Sequence, residues 1–264
     1  MLTRAAFTER FATRAVFGMV HLLPLPGSPL FESLDAVLGA ALRDARALAA
    51  GGCNAIIENF GDRPFTKGKV EGETIASMAR VIADVVREVR VPFGVNVLRN
   101  DAQSALAIAA ATGAAFIRVN VHTGAMLTDQ GIIEGDAYAT MRKRASLAPQ
   151  VHVFADHLVK HAAPLAEFEP VQLAKDLRLR GLADALIVTG AETGAAADPA
   201  RLRVLREALP DAPLLVGSGL SDANAGSFAD ADGAIVGTSI KEGGRVDAPV
   251  DSGRVERIVR AFRG

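Results

Sequence analysis

Apolar residues along the chain fall into two alternating rhythms. Short, nearly unbroken apolar runs occupy residues 16–21, 54–58, 92–97, 115–121, 151–156, 184–188, 213–216 and 233–236. Between them, apolar positions recur at three- and four-residue spacing, as in Leu34, Val37, Leu38, Ala41, Leu42, Ala45 and Leu48, or Ile75, Met78, Ile82, Val85 and Val89. The first rhythm is that of a strand buried on both faces, and the second is that of a helix with one apolar side. Strand and helix alternate eight times, which predicts a closed parallel (β/α)8 TIM barrel of the ribulose-phosphate-binding kind in a single domain, residues 1–264. A doubly wound open sheet is the alternative.

The punctuation agrees. Phe7 and Phe11 at helical spacing predict a short helix that closes the barrel bottom. Prolines 24, 26 and 29 make the loop after the first strand stiff. Asp198-Pro199 reads as an N-cap followed by a first-turn proline. Ser221 reads as the cap of a short helix, and residues 122–134 as a long polar loop.

Period-two alternation sorts each strand into two faces. Phe17, Met19 and His21 share one face; so do Asn54, Ile56 and Glu58, and so do His152, Phe154 and Asp156. Asn96 faces away from Val95 and Val97, and Arg118 goes with Asn120. The last polar residue of each set lies at the C-terminal end of its strand, where barrel enzymes carry their chemistry. The predicted catalytic constellation is therefore His21, Glu58, Asn96, Arg118, Asn120 and Asp156, with His122, His157 and His161 following strand ends on the same side.

Three chemistries fit these residue types. Glu58 and Asp156 suit an acid/base pair. His21, Glu58 and Asp156 with His157 or His161 have the mixed N/O character of a divalent-metal site, although no two have a motif spacing such as HExxH. Lys160 suits Schiff-base formation, while its place in a loop favours a solvated surface lysine.

The last two strands end in Gly217-Ser218-Gly219 and Gly237-Thr238-Ser239. Adjacent turns of this kind present backbone amides and hydroxyls without bulky side chains, the chemistry of a phosphate cradle at the last two βα loops of a barrel.

Composition narrows the picture. A net charge of −1 argues against a nucleic-acid surface, and no apolar run is long enough to span a membrane. The single Cys53 reads as a small core residue, compatible with a reducing cytoplasm. A homo-oligomer is compatible with the sequence.

Residues 18–29 (GMVHLLPLPGSP), 58–62 (ENFGD), 94–101 (GVNVLRND) and 118–125 (RVNVHTGA) resemble the signatures of the BtpA family. Residues 128–131 (TDQG), 159–162 (VKHA), 188–190 (VTG) and 237–241 (GTSIK) extend the resemblance over almost the whole chain. The family takes its name from a thylakoid-associated protein implicated in photosystem I biogenesis, and its members are placed among phosphate-binding barrels. One departure is His157, which stands where many members have valine. The resemblance implies the barrel fold and leaves two functional classes. One is an isomerase, lyase or hydrolase acting on a small phosphorylated metabolite, a sugar phosphate or nucleotide-derived compound, with a divalent metal optional. The other is an assembly or regulatory factor for a membrane complex.

Overall fold

In the computed structural model, which describes residues 1–166, 168–190 and 197–264, helix α1 (Arg4–Phe11) opens the chain. Its N-cap Thr3 accepts a hydrogen bond from the Ala6 amide. Strand β1 (Ala15–His21) follows, then α2 (Leu34–Ala50), β2 (Asn54–Glu58), α3 (Gly72–Glu88), β3 (Phe93–Asn96), α4 (Ala102–Thr112) and β4 (Phe116–Val119).

Here the regular alternation is interrupted. The stretch expected to be a polar loop forms a hairpin, β5 (Ala125–Thr128) and β6 (Gly131–Glu134), before α5 (Ala137–Leu147). After β7 (His152–His157), strand β8 (Ala162–Pro164) joins β5 to make a three-stranded antiparallel flap in the order β6-β5-β8. Alternation explains the difference: Met126 and Ile133 are paired across the hairpin and buried with Val121 and Val159, while Leu127 and Ile132 are paired on the exposed face. Gly131, at φ +98°, permits the turn, and the Thr128 hydroxyl donates to the Gly131 carbonyl at 2.8 Å.

The chain then resumes with α6 (Pro170–Lys175), which runs into a π-helical turn at Asp176–Arg180, and with β9 (Ala185–Val188) and α7 (Pro199–Ala208). Asp198 caps α7 as expected, its carboxylate accepting from the Ala200 amide. Strands β10 (Leu214–Val216) and β11 (Gly233–Val236) precede α8 (Ser252–Arg263). The short helix expected after Ser221 is only a 3-10 turn, Ala225–Ser227. Asn224 is the cause: its side chain accepts from the Ser221 amide and donates to the Gly219 carbonyl, offering the backbone bonds a helix would otherwise supply.

Eight parallel strands close in the order β1-β11-β10-β9-β7-β4-β3-β2. The closed barrel settles the choice against an open sheet. One apolar layer lies between the strands and the outer helices, where Val37, Ala41 and Leu48 of α2 meet Met78, Ile82 and Val85 of α3. A second fills the barrel interior. Phe17, Phe116 and Phe154 occupy its lower half, with Phe116 stacked on Phe154 at 4.2 Å between ring centroids. Gly94 makes room for them, because a Cβ there would lie 2.3 Å from the Phe116 ring. Phe7 and Phe11 plug the floor, and Asp184 and Arg178 hold the adjoining Leu2 backbone at 2.9 and 2.7 Å. With the lower barrel full of phenylalanine, the C-terminal mouth is where a ligand has space.

Candidate functional site

The strand register builds the site. His21 of β1 is paired with Glu58 of β2, Glu58 with Asn96 of β3, and Asn96 with Arg118 of β4. Four polar side chains therefore form one level at the top of the barrel, directly above the level of Met19, Ile56, Gly94 and Phe116. Asp156 joins from the neighbouring strand β7, two residues beyond Phe154, the partner of Arg118. Arg118 grips it through two parallel hydrogen bonds, Nε to Oδ1 and Nη2 to Oδ2, each 3.0 Å, and Asn120 adds a third to Oδ2 at 2.9 Å.

Above this level lies a cavity of about 700 Å³. Glu58, His21, Arg118 and Asn120 face it, and so do both glycine turns. Asn96 sits beside Glu58 on the neighbouring strand and donates from Nδ2 to Oε2. Asp156, with its side chain 0% exposed, borders a second cavity of about 320 Å³ under the flap, which also has Asn120 in its wall. The two carboxyls thus have different environments. Asp156 is saturated by its three donors, whereas Glu58 faces the large cavity.

Burial pushes the Glu58 carboxyl above its ordinary range, opposed by Arg118, Lys160, the Asn96 bond and Arg99. His21 stacks on Phe60 at 4.3 Å, and its Nδ1 lies 3.4 Å from the Val246 carbonyl. Burial, with the Lys241 and Lys160 cations, depresses its pKa to about 3. His21 is therefore neutral at physiological pH. With Nδ1–H donating to Val246, Nε2 presents a lone pair 3.8 Å from Glu58 Oε1. A neutral imidazole facing a carboxyl whose pKa burial raises is a self-consistent pair.

The metal set allowed by the sequence does not assemble. Among the described residues no three His, Cys, Asp or Glu converge as ligands. His157 points into the cavity under the flap, with Nε2 2.9 Å from the Pro170 carbonyl, and His122 Nε2 lies 2.8 Å from the Gly181 carbonyl. Of the four histidines assigned to the mouth, His21 and His161 line the large cavity.

Lys160 is a second correction. It is not a solvated surface residue: it lines the cavity, and burial and Arg118 hold its ammonium below the usual lysine range. Arg99 also lines the cavity and donates from Nη2 to the Lys160 carbonyl at 2.8 Å. Sequence reasoning missed Arg99, Phe60 and Phe65, all of which lie in loops just past strand ends. Their signal was position alone, since strand-face alternation does not extend into loops. Three basic side chains, Arg99, Arg118 and Lys160, thus gather at the mouth with the carboxyls of Glu58 and Asp129 and the Arg118-bound Asp156.

The two glycine turns lie side by side because β10 pairs with β11. Gly217 is part of the wall: its amide donates to the Val188 carbonyl at 2.8 Å, and a Cβ there would lie 2.4 Å from Ile187. The Ser218 hydroxyl accepts from the Gly190 amide at 2.7 Å. Gly219, at φ +69°, turns the chain. Gly237, Thr238 and Ser239 open a 3-10 turn, and the first amides of such a turn have no acceptor within it. A Cβ on Gly237 would sit without clash, in ordinary van der Waals contact with Met19 at 3.6 Å and His21 at 3.9 Å, and the residue lines the cavity. Lys241 faces away from the mouth, where its Nζ forms a buried ion pair with Asp44 at 2.9 Å.

The BtpA family profile matches residues 12–264. This chain belongs to the BtpA family. It is 46% identical over 253 residues to a protein of Archaeoglobus fulgidus, covering 95% of this chain and 99% of that one. It is 44% identical over 250 residues to the Photosystem I biogenesis protein BtpA of Synechocystis, covering 94% and 87%. The fold resembles phosphoribosyl anthranilate isomerase from Thermococcus kodakaraensis, with a TM-score of 0.56, 13% identity and coverage of 95% and 99%. It also resembles orotidine 5′-phosphate decarboxylase from Pyrococcus horikoshii, with a TM-score of 0.57, 15% identity and coverage of 94% and 99%. These likenesses support the TIM-barrel fold. Among the described residues no helix is long and apolar enough to cross a membrane.

Proposed function

We propose that this BtpA-family barrel binds and transforms a small phosphorylated metabolite at its C-terminal mouth. The observation that carries the reading is that the β10 and β11 turns open onto the same cavity as Glu58, Arg99, Arg118 and Lys160. The amides of Gly219, Thr238 and Ser239 hold the phosphate, and Ser218 and Gly237 shape the pocket around it. Glu58 carries the proton, with His21 as its neutral partner. Arg118 and Asn120, fixed by Asp156, hold an anionic or carbonyl group of the substrate. Asp156 acts by positioning Arg118 rather than by moving protons itself, because its oxygens already accept three bonds. The two fold neighbours, by name both enzymes of phosphorylated compounds, agree with this reading.

A panel of phosphorylated metabolites screened by melting temperature tests it, since a ligand that binds the native state raises the melting point. Gly237→Asp is a cleaner counter-variant than Gly219→Asp, whose left-handed backbone mixes strain with charge. A carboxylate about 4 Å from the phosphate, at an effective dielectric of about 20, opposes binding by roughly 4 kcal/mol, so affinity should fall more than about 100-fold. Unchanged affinity in Gly237→Asp places the phosphate elsewhere.

The second reading is an assembly factor. The name of the Synechocystis relative favours it, as do the exposed cross-strand partners Leu127 and Ile132 on the flap. A panel that yields no ligand, together with a partner lost on Leu127→Asp, would turn the balance toward it.

A further inference from the structure

Lys160 lines the cavity, and neither proton transfer nor phosphate binding gives it a task. Its backbone setting is unusual. Leu158 and His161, on either side of it, have φ of +58° and +55°, a left-handed conformation that non-glycine residues keep only where the surroundings fix it. The surroundings do fix it at three points. The Thr189 hydroxyl donates to the Leu158 carbonyl at 2.8 Å, Arg99 donates to the Lys160 carbonyl at 2.8 Å, and Val159 is buried with Val121, Met126 and Ile133 under the flap. The result is a lysine presented to the cavity beside Glu58, Arg99 and Arg118.

The two nearby carboxyls are engaged elsewhere. Glu58 is bonded to Asn96 and faces His21, and Asp156 is bonded to Arg118 and Asn120. Among the described residues no carboxylate forms an ion pair with the Lys160 ammonium. Burial, Arg118 and Arg99 hold its ammonium below the usual lysine range, against the opposing carboxyls of Glu58 and Asp156.

We infer that Lys160 is a catalytic nucleophile that captures the carbonyl carbon of a phosphorylated aldehyde or ketone as a Schiff base, with Glu58 supplying the proton. The phosphate half of this inference rests on the cradle proposed above, and the carbonyl half stands on the lysine alone. The free-amine form of Nζ adds to the carbonyl carbon, forming a C–N bond as the C=O π pair moves to oxygen. A proton passes from nitrogen to that oxygen, giving a carbinolamine. Glu58 then protonates the hydroxyl, the C–O bond breaks, water leaves, and the nitrogen lone pair forms the C=N bond of an iminium. The sum is one carbonyl, one amine and one proton giving one iminium and one water, with Glu58 left as carboxylate. The iminium accepts the electron pair of an adjacent C–H or C–C bond, so the site suits isomerase or lyase chemistry rather than hydrolysis.

Borohydride trapping of the intact protein with glycolaldehyde phosphate and, in parallel, glycolaldehyde tests this, with peptide mapping of the reduced adduct. The chain's other five lysines are an internal control. The expected result is an adduct on Lys160 formed at least 10-fold faster than on the exposed Lys67 and Lys69, and lost in Lys160→Arg. Faster labelling of Lys160 by the phosphorylated probe than by glycolaldehyde supports both halves. Equal, selective labelling by the two probes supports the Schiff base and counts against the cradle. Labelling of Lys160 no faster than of Lys67 and Lys69 overturns the Schiff base. In that case calorimetry with inorganic phosphate still decides the cradle separately.

Discussion

Removing Asp156 should expose how much the site depends on one buried ion pair. The Asp156 side chain is 0% exposed and Arg118 is 4% exposed, so neither charge is shared with water. In Asp156→Ala the guanidinium loses both of its carboxylate bonds at 3.0 Å, and Asn120 loses its acceptor at 2.9 Å. Breaking a buried pair on one side costs about 3–5 kcal/mol, because the remaining charge stays desolvated. For a chain of this size that lowers the melting point by roughly 6–20 °C. Arg118→Met alone should cost a similar amount by stranding the carboxylate. The double variant, with both charges gone, should recover much of the loss, giving a coupling of about 2 kcal/mol or more. Urea unfolding of the four proteins measures this cycle. Additive losses, with coupling below about 0.5 kcal/mol, would refute the claim that Asp156 exists to hold Arg118.

Two further outcomes follow from buried ionisable groups. His21 has its folded pKa depressed from 6.5 to about 3, so the unfolded chain takes up the proton first. Stability is intact above pH 6.5 and falls as pH drops toward 3, by up to about 5 kcal/mol at roughly 1.4 per unit. His21→Gln should flatten that part of the stability profile in urea titrations, and an unchanged slope would sink the assignment of His21 as a buried neutral imidazole. Lys241→Met should destabilise the fold by about 3 kcal/mol through Asp44. It should leave ligand affinity within about threefold in calorimetry, whereas a larger loss would make Lys241 part of the phosphate site.

Much of the barrel was legible because strands buried on both faces and one-sided helices leave separate periodicities. The same period-two rule put His21, Glu58, Asn96 and Arg118 toward the C-terminal ends of their strands, but that they share one level is seen only in the strand register. Pairing within that level was not legible. Whether Asp156 faces the cavity or Arg118 depends on the curvature of the barrel, which a single strand does not encode. The flap was hidden because its strands are short and half exposed, so Leu127 and Ile132 read as loop residues. Lys160 and Arg99 were obscured for another reason: loop side chains reach the cavity through non-periodic backbone, here the left-handed turns at Leu158 and His161.

The central claim, a phosphate held by the β10 and β11 turns, is tested most directly by amide nuclear magnetic resonance. Inorganic phosphate and glycerol 3-phosphate are titrated into the uniformly 15N-labelled protein, and every backbone amide is followed. The account predicts saturable shifts centred on Gly219, Thr238 and Ser239, tighter for glycerol 3-phosphate, and absent in Gly237→Asp. The Gly217 amide, already bonded to Val188, should move least of the turn residues. Shifts centred on the flap or the barrel floor, or no saturable shift at the two turns, would contradict it.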